Sequence, residues 1–124
     1  MHNSSRSAAP LRVLIIGSGF AGLGMVIRLQ QAGIEDFLIL EKAADIGGTW
    51  RDTSYPGAAC DVPSHLYSFS FEPKHDWSRK FAPQAEIHAY ILQCVDKYRL
   101  RPQIRLNAEV QGAEFDAARG LWRV

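Results

Sequence analysis

The sequence predicts an α/β fold: an incomplete parallel sheet linked by helices, with a small antiparallel β hairpin towards the C-terminal end. Three observations lead there. The apolar run from Leu11 to Ile16 passes directly into a glycine turn, G-S-G-F-A-G, from Gly17 to Gly22. A helix-length amphipathic segment follows and leads to a second apolar run that ends on an acid, Glu41. A glycine pair, Gly47–Gly48, comes six residues after that acid. Strand, glycine turn, helix and strand in this order describe a crossover unit, and the strands of such a unit run parallel.

Each element has its own reason. Leu11 to Ile16 has the near-continuous apolar character expected of a parallel strand buried on both faces. The next segment reads as a helix from about Phe20 to Gln31, with Leu23, Val26, Ile27 and Leu29 turned to the sheet, and Gly33 stops it. Asp36 to Leu40 is the second strand, with Glu41 at its C-terminal end. Residues 45–82 are rich in Gly, Pro, Ser, Asp and aromatic residues and show no period. A long irregular stretch inside a compact domain is usually functional. Order returns at Pro83, which suits a first helical turn. Ile87, Ile91, Cys94 and Tyr98 then recur at helical spacing as a core-facing stripe, to Tyr98 or Arg99. Pro102 ends the helical region, and Ile104 to Leu106 reads as a short strand. Glu109 to Phe115 and Leu121 to Val124 read as two strands joined by the turn D-A-A-R-G, an antiparallel hairpin.

Composition narrows the function classes. The 124 residues carry 14 basic and 13 acidic side chains. With no basic stripe, nucleic acid is not an expected partner, and Arg99, Arg101 and Arg105 read as a solvated face. No run of about 18 apolar residues exists, so no membrane span is expected. The first ten residues are small and polar, without the apolar core of a signal peptide, and read as a disordered tail. The domain therefore occupies residues 11–124. Cys60 and Cys94 form no C-x-x-C pair, which fits a reduced, cytoplasmic setting. The four histidines lack metal-ligand spacing. His65 reads as a local hydrogen-bonding residue, and His75 and Trp77 in K-H-D-W as surface loop. Neither Ser18 nor the serines at 64, 68 and 70 has a recognisable base partner, so a hydrolase has little support. The chain stops at Val124 inside an apparent strand, which predicts a truncated domain.

The turn itself carries chemistry. Gly17 permits the sharp exit from the strand. Gly19, lacking a Cβ, lets a pyrophosphate come close to the backbone. Gly22 allows the helix to pack against the strand. The N–H groups and dipole at the helix start favour a diphosphate without a lysine. Glu41 lies where a carboxylate can accept hydrogen bonds from both hydroxyls of an adenosine ribose and repel a 2′-phosphate. The site suits the AMP half of FAD or NAD, not NADP. The bland alternative is a glycine turn that merely packs tightly. The fingerprint alone also fits an NAD-linked dehydrogenase or a disulfide reductase. The lack of C-x-x-C or C-x4-C near Gly48 weighs against the latter, and the motif from Tyr55 to Tyr67 against a simple NAD enzyme.

Further motifs carry a family resemblance. Gly17 to Gly22, Glu41, G-G-T-W at 47–50, Y-P-G at 55–57, C-D at 60–61, S-H-L-Y at 64–67 and F-A-P-Q-A-E-I at 81–87 together resemble the N-terminal, FAD-binding part of class B flavoprotein monooxygenases. The Baeyer–Villiger monooxygenases are the most similar branch. The match runs from Leu11 to Val124. The glycine pair after the ribose-binding acid is typical of the FAD-binding fold shared with glutathione reductase. The resemblance implies an FAD/NAD(P)-binding Rossmann-like three-layer fold, a bound FAD in the parent enzyme, NADPH as reductant and molecular oxygen as oxidant. It implies small ketones as substrates, converted to esters or lactones.

The resemblance also implies residue roles. Gly17, Gly19, Ala21 and Gly22 would lie along the FAD pyrophosphate, and Glu41 would hold the AMP ribose with Lys42 beside it. Gly48, Thr49 and Trp50 would line the cofactor between pyrophosphate and flavin. Asp61 would stand near the flavin ring in a supporting catalytic role, with Tyr67 nearby. The backbone of Val110 would contact adenine. The bland readings are a core aromatic for Trp50 and a turn carboxylate for Asp61. The family's second glycine-rich motif for NADPH, its His- and Trp-containing fingerprint and its arginine at the flavin have no counterpart in these residues. The chain is thus expected to be catalytically incomplete alone. It is either part of a monooxygenase, with a second polypeptide as a candidate to complete it, or an inactive fragment or stand-alone nucleotide-binding module.

Overall fold

The computed structural model describes residues 9–52, 57–60 and 68–124. Strand β1 (Val13–Ile16) leads through the glycine turn into helix α1 (Phe20–Gln31), which returns to strand β2 (Phe37–Leu40). A single-turn helix, α2 (Thr49–Asp52), and the long helix α3 (Gln84–Lys97) follow. A 3-10 turn at Arg101–Gln103 leads into β3 (Ile104–Arg105), and a hairpin of β4 (Glu114–Asp116) and β5 (Leu121–Arg123) completes the described elements.

The sheet is parallel, in the order β1-β2-β3. Val13 faces Phe37 and Ile16 faces Leu40 in one register, and Ile39 faces Ile104 in the other. Leu23, Val26 and Ile27 of α1, Phe37 and Ile39 of β2, and Ile87, Ile91 and Val95 of α3 form one buried cluster. Burying each such side chain contributes about 1.5–3 kcal/mol. The helix stripe read from the sequence is this contact.

Both long helices stop in the same way. Gly33 adopts φ +80°, its N–H donates to the Gln30 carbonyl, and the Ile34 N–H reaches back to Leu29. This paired arrangement is the Schellman motif, which favours glycine at its left-handed position. α3 repeats it with Arg99 at φ 57°: Arg99 N–H donates to Asp96 and Leu100 N–H to Val95.

Several expectations are corrected. β1 is not buried on both faces: Leu11 and Ile16 are 45% and 63% exposed, because among the described residues β1 pairs only with β2 and so forms a sheet edge. The stretch 45–82 is not wholly irregular, since it contains α2. Pro83 caps α3, and the helix proper starts at Gln84. Pro102 lies inside the 3-10 turn, and the first hairpin strand is only Glu114–Asp116, not Glu109 to Phe115. Trp77 is not surface loop: it is half-buried, its ring centroid lies 5.9 Å from that of Tyr90, and its buried Nε1 has no hydrogen-bond partner among the described residues. Arg99, Arg101 and Arg105 are exposed as expected.

Candidate functional site

The glycine turn sits where β1 meets α1, at the C-terminal edge of the parallel strands. The Gly17 N–H bonds the Leu40 carbonyl at 2.8 Å, which places the turn beside the end of β2. Gly17 itself has φ +98° with open space around it, so its glycine answers to backbone conformation. Gly22 answers to packing: a Cβ there would stand 2.2 Å from the Gly17 carbonyl oxygen. Gly19 answers to neither. Its φ is −83°, and the atom nearest an added Cβ is Gly48 Cα at 3.7 Å, an ordinary contact. A glycine that its own fold does not require, at the N-cap of α1, leaves room for something outside the chain. The first N–H groups of any α-helix have no intrahelical acceptor.

The glycine pair forms the opposite wall. The Gly47 N–H donates to the Ser18 carbonyl at 3.1 Å, and a Cβ on Gly48 would lie 3.0 Å from Gly19 Cα. Gly47 and Gly48 hold φ values of 134° and 59°. Two glycine turns distant in sequence therefore meet backbone to backbone. Thr49 and Ala21 are exposed at this rim, whereas Trp50 is buried in the hydrophobic cluster.

Glu41 closes the floor. Ser18 and Glu41 are the buried polar residues among those described. The Ser18 N–H donates to Glu41 Oε1 at 2.9 Å, the Ser18 hydroxyl donates to the same oxygen, and the Ala43 N–H donates to Oε2 at 2.9 Å. Burial pushes the Glu41 carboxyl up. The Ser18 hydroxyl, the Ala43 and Ser18 amides and the charge of Lys42 outweigh it, and the acid ends below its ordinary value. It is therefore an anion at neutral pH. A carboxylate offers about four lone-pair sites, and three are in use. One ribose hydroxyl can be received directly, and a second once the Ser18 hydroxyl turns away.

The chain beyond β3 flanks this acid. The Glu41 N–H bonds the Arg105 carbonyl at 2.9 Å and the Ala108 N–H bonds the Glu41 carbonyl at 2.8 Å. Val110 follows, in an open cleft it shares with Leu40, Arg105 and Ala108. The structure thus brings Gly17, Gly19, Gly22, Glu41 and Gly48 together, with Val110 on the flank. Asp61 and Tyr67, like Tyr55, Pro56 and His65, lie outside the described residues. Ser18, His88 and Gln84 were missed. Ser18 occupies a variable position of the fingerprint, and only its contact with Glu41 reveals it. No cluster of three metal-ligating side chains occurs among the described residues, and no helix there is long and apolar enough to cross a membrane.

Residues 15–82, more than half of the chain, match the family model of the NAD(P)-binding Rossmann-like domain. The chain belongs to that family. Among curated proteins, this Rossmann-like domain is 52% identical over 114 residues to a Baeyer-Villiger monooxygenase of Streptomyces coelicolor, covering 92% of the chain and 22% of the relative. Among solved structures, an oxidized steroid monooxygenase bound to NADP superposes with a TM-score of 0.85 at 38% identity, over 90% of the chain and 22% of its own. The structure of OTEMO in complex with FAD and NADP superposes with a TM-score of 0.84 at 32% identity, over 91% and 22%. The chain spans about 22% of the length of the relatives it matches. The resemblance to Baeyer–Villiger monooxygenases and the Rossmann-like fold class both hold.

Proposed function

We propose that residues 11–124 are a partial FAD-binding domain of a flavin-dependent monooxygenase of the Baeyer–Villiger type, which uses NADPH and oxygen to oxygenate ketones. The observation that carries this reading is the Gly19 position: a glycine that no contact among the described residues requires, facing the Gly47–Gly48 turn and backed by the buried Glu41 anion. The residues present fit the AMP and pyrophosphate half of FAD.

In that role the chain binds and orients. The start of α1 offers N–H groups and the positive end of its dipole to the pyrophosphate. Glu41 receives the ribose and, through its charge, disfavours a 2′-phosphate. Val110 contacts adenine through its backbone. Thr49 offers a hydroxyl towards the flavin side, and Trp50 stiffens that wall from within the core. Asp61 supports the flavin end, with Tyr67 close by. When bound, FAD supplies the redox chemistry that activates oxygen, while the protein's contribution is position and protection from water. A small ketone, a cytoplasmic setting and a complementing polypeptide that supplies the remaining segments complete the proposal.

The test is nucleotide titration of the purified chain. ADP, which carries the ribose and diphosphate, should bind weakly but saturably by NMR, and 2′-phospho-ADP should bind more weakly. FAD should be retained poorly, and NADPH-dependent oxygen uptake should be absent. Equal affinity for the two adenine nucleotides would refute the role of Glu41. Oxygen uptake by the chain alone would refute its dependence on further segments.

A further inference from the structure

The G-G-T-W segment forms one wall of the candidate site. Its own backbone closes a turn, with the Trp50 N–H on the Gly47 carbonyl and the Arg51 N–H on the Gly48 carbonyl, and α3 adds two side-chain contacts from outside. The His88 ring lies with Nε2 2.7 Å from the Ile46 carbonyl oxygen. One turn earlier, the Gln84 side-chain amide donates to the Trp50 carbonyl. Residues four apart on a helix share a face, so α3 grips both ends of the segment with two side chains. Neither belongs to the stripe of Ile87, Ile91, Cys94 and Val95 that anchors α3 in the core.

The ring also shapes Gly47. A Cβ on that residue would lie 2.7 Å from His88 Cδ2 and 2.8 Å from Nε2. Gly47 in turn donates to Ser18, and Gly48 abuts Gly19. A continuous path thus runs from His88 through Ile46 and Gly47 to the glycine turn.

We propose that His88 is a positioning residue for the nucleotide cofactor, acting through its bond to the Ile46 carbonyl to set the Gly47–Gly48 turn against Gly19. The proposal rests on the nucleotide-binding reading above. A carbonyl only accepts, so Nε2 carries the proton and neutral His88 is the Nε2–H tautomer. Leucine at this place fills much of the same volume without a donor, whereas glutamine restores one.

The experiment compares the wild-type chain with His88→Leu and His88→Gln. Amide hydrogen exchange at Gly47 and Gly48 is read by NMR without ligand, and ADP affinity is read by titration. His88→Leu should keep the exchange protection of α3 while exchange at Gly47 rises and ADP affinity falls, each by about tenfold, the scale of one lost hydrogen bond. His88→Gln should recover most of both. Unchanged exchange at Gly47 in a folded His88→Leu chain, or a His88→Gln chain that behaves like the leucine variant, would overturn the proposal. Nitrogen spectra of the wild type decide the case even if the variants do not fold: the Nδ1–H tautomer would refute it. If exchange responds as expected but the wild type binds no ADP, the nucleotide reading fails while the clamp on the turn stands.

Discussion

The Ser18 amide and the Glu41 carboxylate meet at 2.9 Å across a sequence separation of 23 residues, and the Ser18 hydroxyl bonds the same oxygen. This contact ties the glycine turn to the end of β2. It means that the acid expected to hold a ribose also holds its own site together. The structural role and the proposed ligand-binding role therefore fall on one side chain, and mutations there must be read on both.

Glu41→Ala removes the acceptor for the Ser18 and Ala43 amides. Leaving such buried donors unpaired should cost about 1–3 kcal/mol of stability, and ADP or FAD affinity should fall by a similar amount. Urea unfolding and nucleotide titration check the two effects separately. An unchanged dissociation constant would remove the ribose from Glu41.

The same acid should govern acid stability. Its folded-state value lies below the ordinary 4.5, so its contribution is fully present above that pH and is lost as pH falls through the folded value. The stability advantage of the wild type over Glu41→Gln should hold from neutrality down to about 4.5 and shrink below it. Urea midpoints of both proteins across that window measure it.

Gly19 and Gly22 should separate binding from folding. Gly22→Ala drives a methyl into the Gly17 carbonyl and should destabilise the chain by about 1–3 kcal/mol. Gly19→Ala meets only an ordinary contact, so stability should stay within about 0.5 kcal/mol. ADP affinity should nonetheless fall at least about tenfold, because the methyl occupies the approach of the diphosphate. Thermal melts and titrations of both variants check this.

Arg99 holds φ 57° at the end of α3, where a Cβ is unfavourable. Arg99→Gly should relieve that strain. Set against the greater freedom glycine has when unfolded, the net gain should be about 0.5–1 kcal/mol, seen as a raised melting temperature.

How much of this was legible varies with distance along the chain. α1 appears at Phe20–Gln31 and β2 ends at Leu40 as the periodicity indicates, because local pattern and local turn chemistry determine both. The core stripe of α3 was legible for the same reason. The exposure of Ile16 was not: a strand's own composition says nothing about how many neighbours it has. Nor was the burial of Trp77, which depends on Tyr90 from a later helix.

The sequence by itself determined the crossover unit, the glycine fingerprint, the acid that follows it and the family likeness, since each is written in short-range spacing. Tertiary structure alone decided that Ser18 occupies one oxygen of Glu41, that Gly48 abuts Gly19 and that His88 holds Ile46. Those contacts join residues brought close only when the helices and strands bury their shared apolar faces, and a one-dimensional pattern carries no record of such distances.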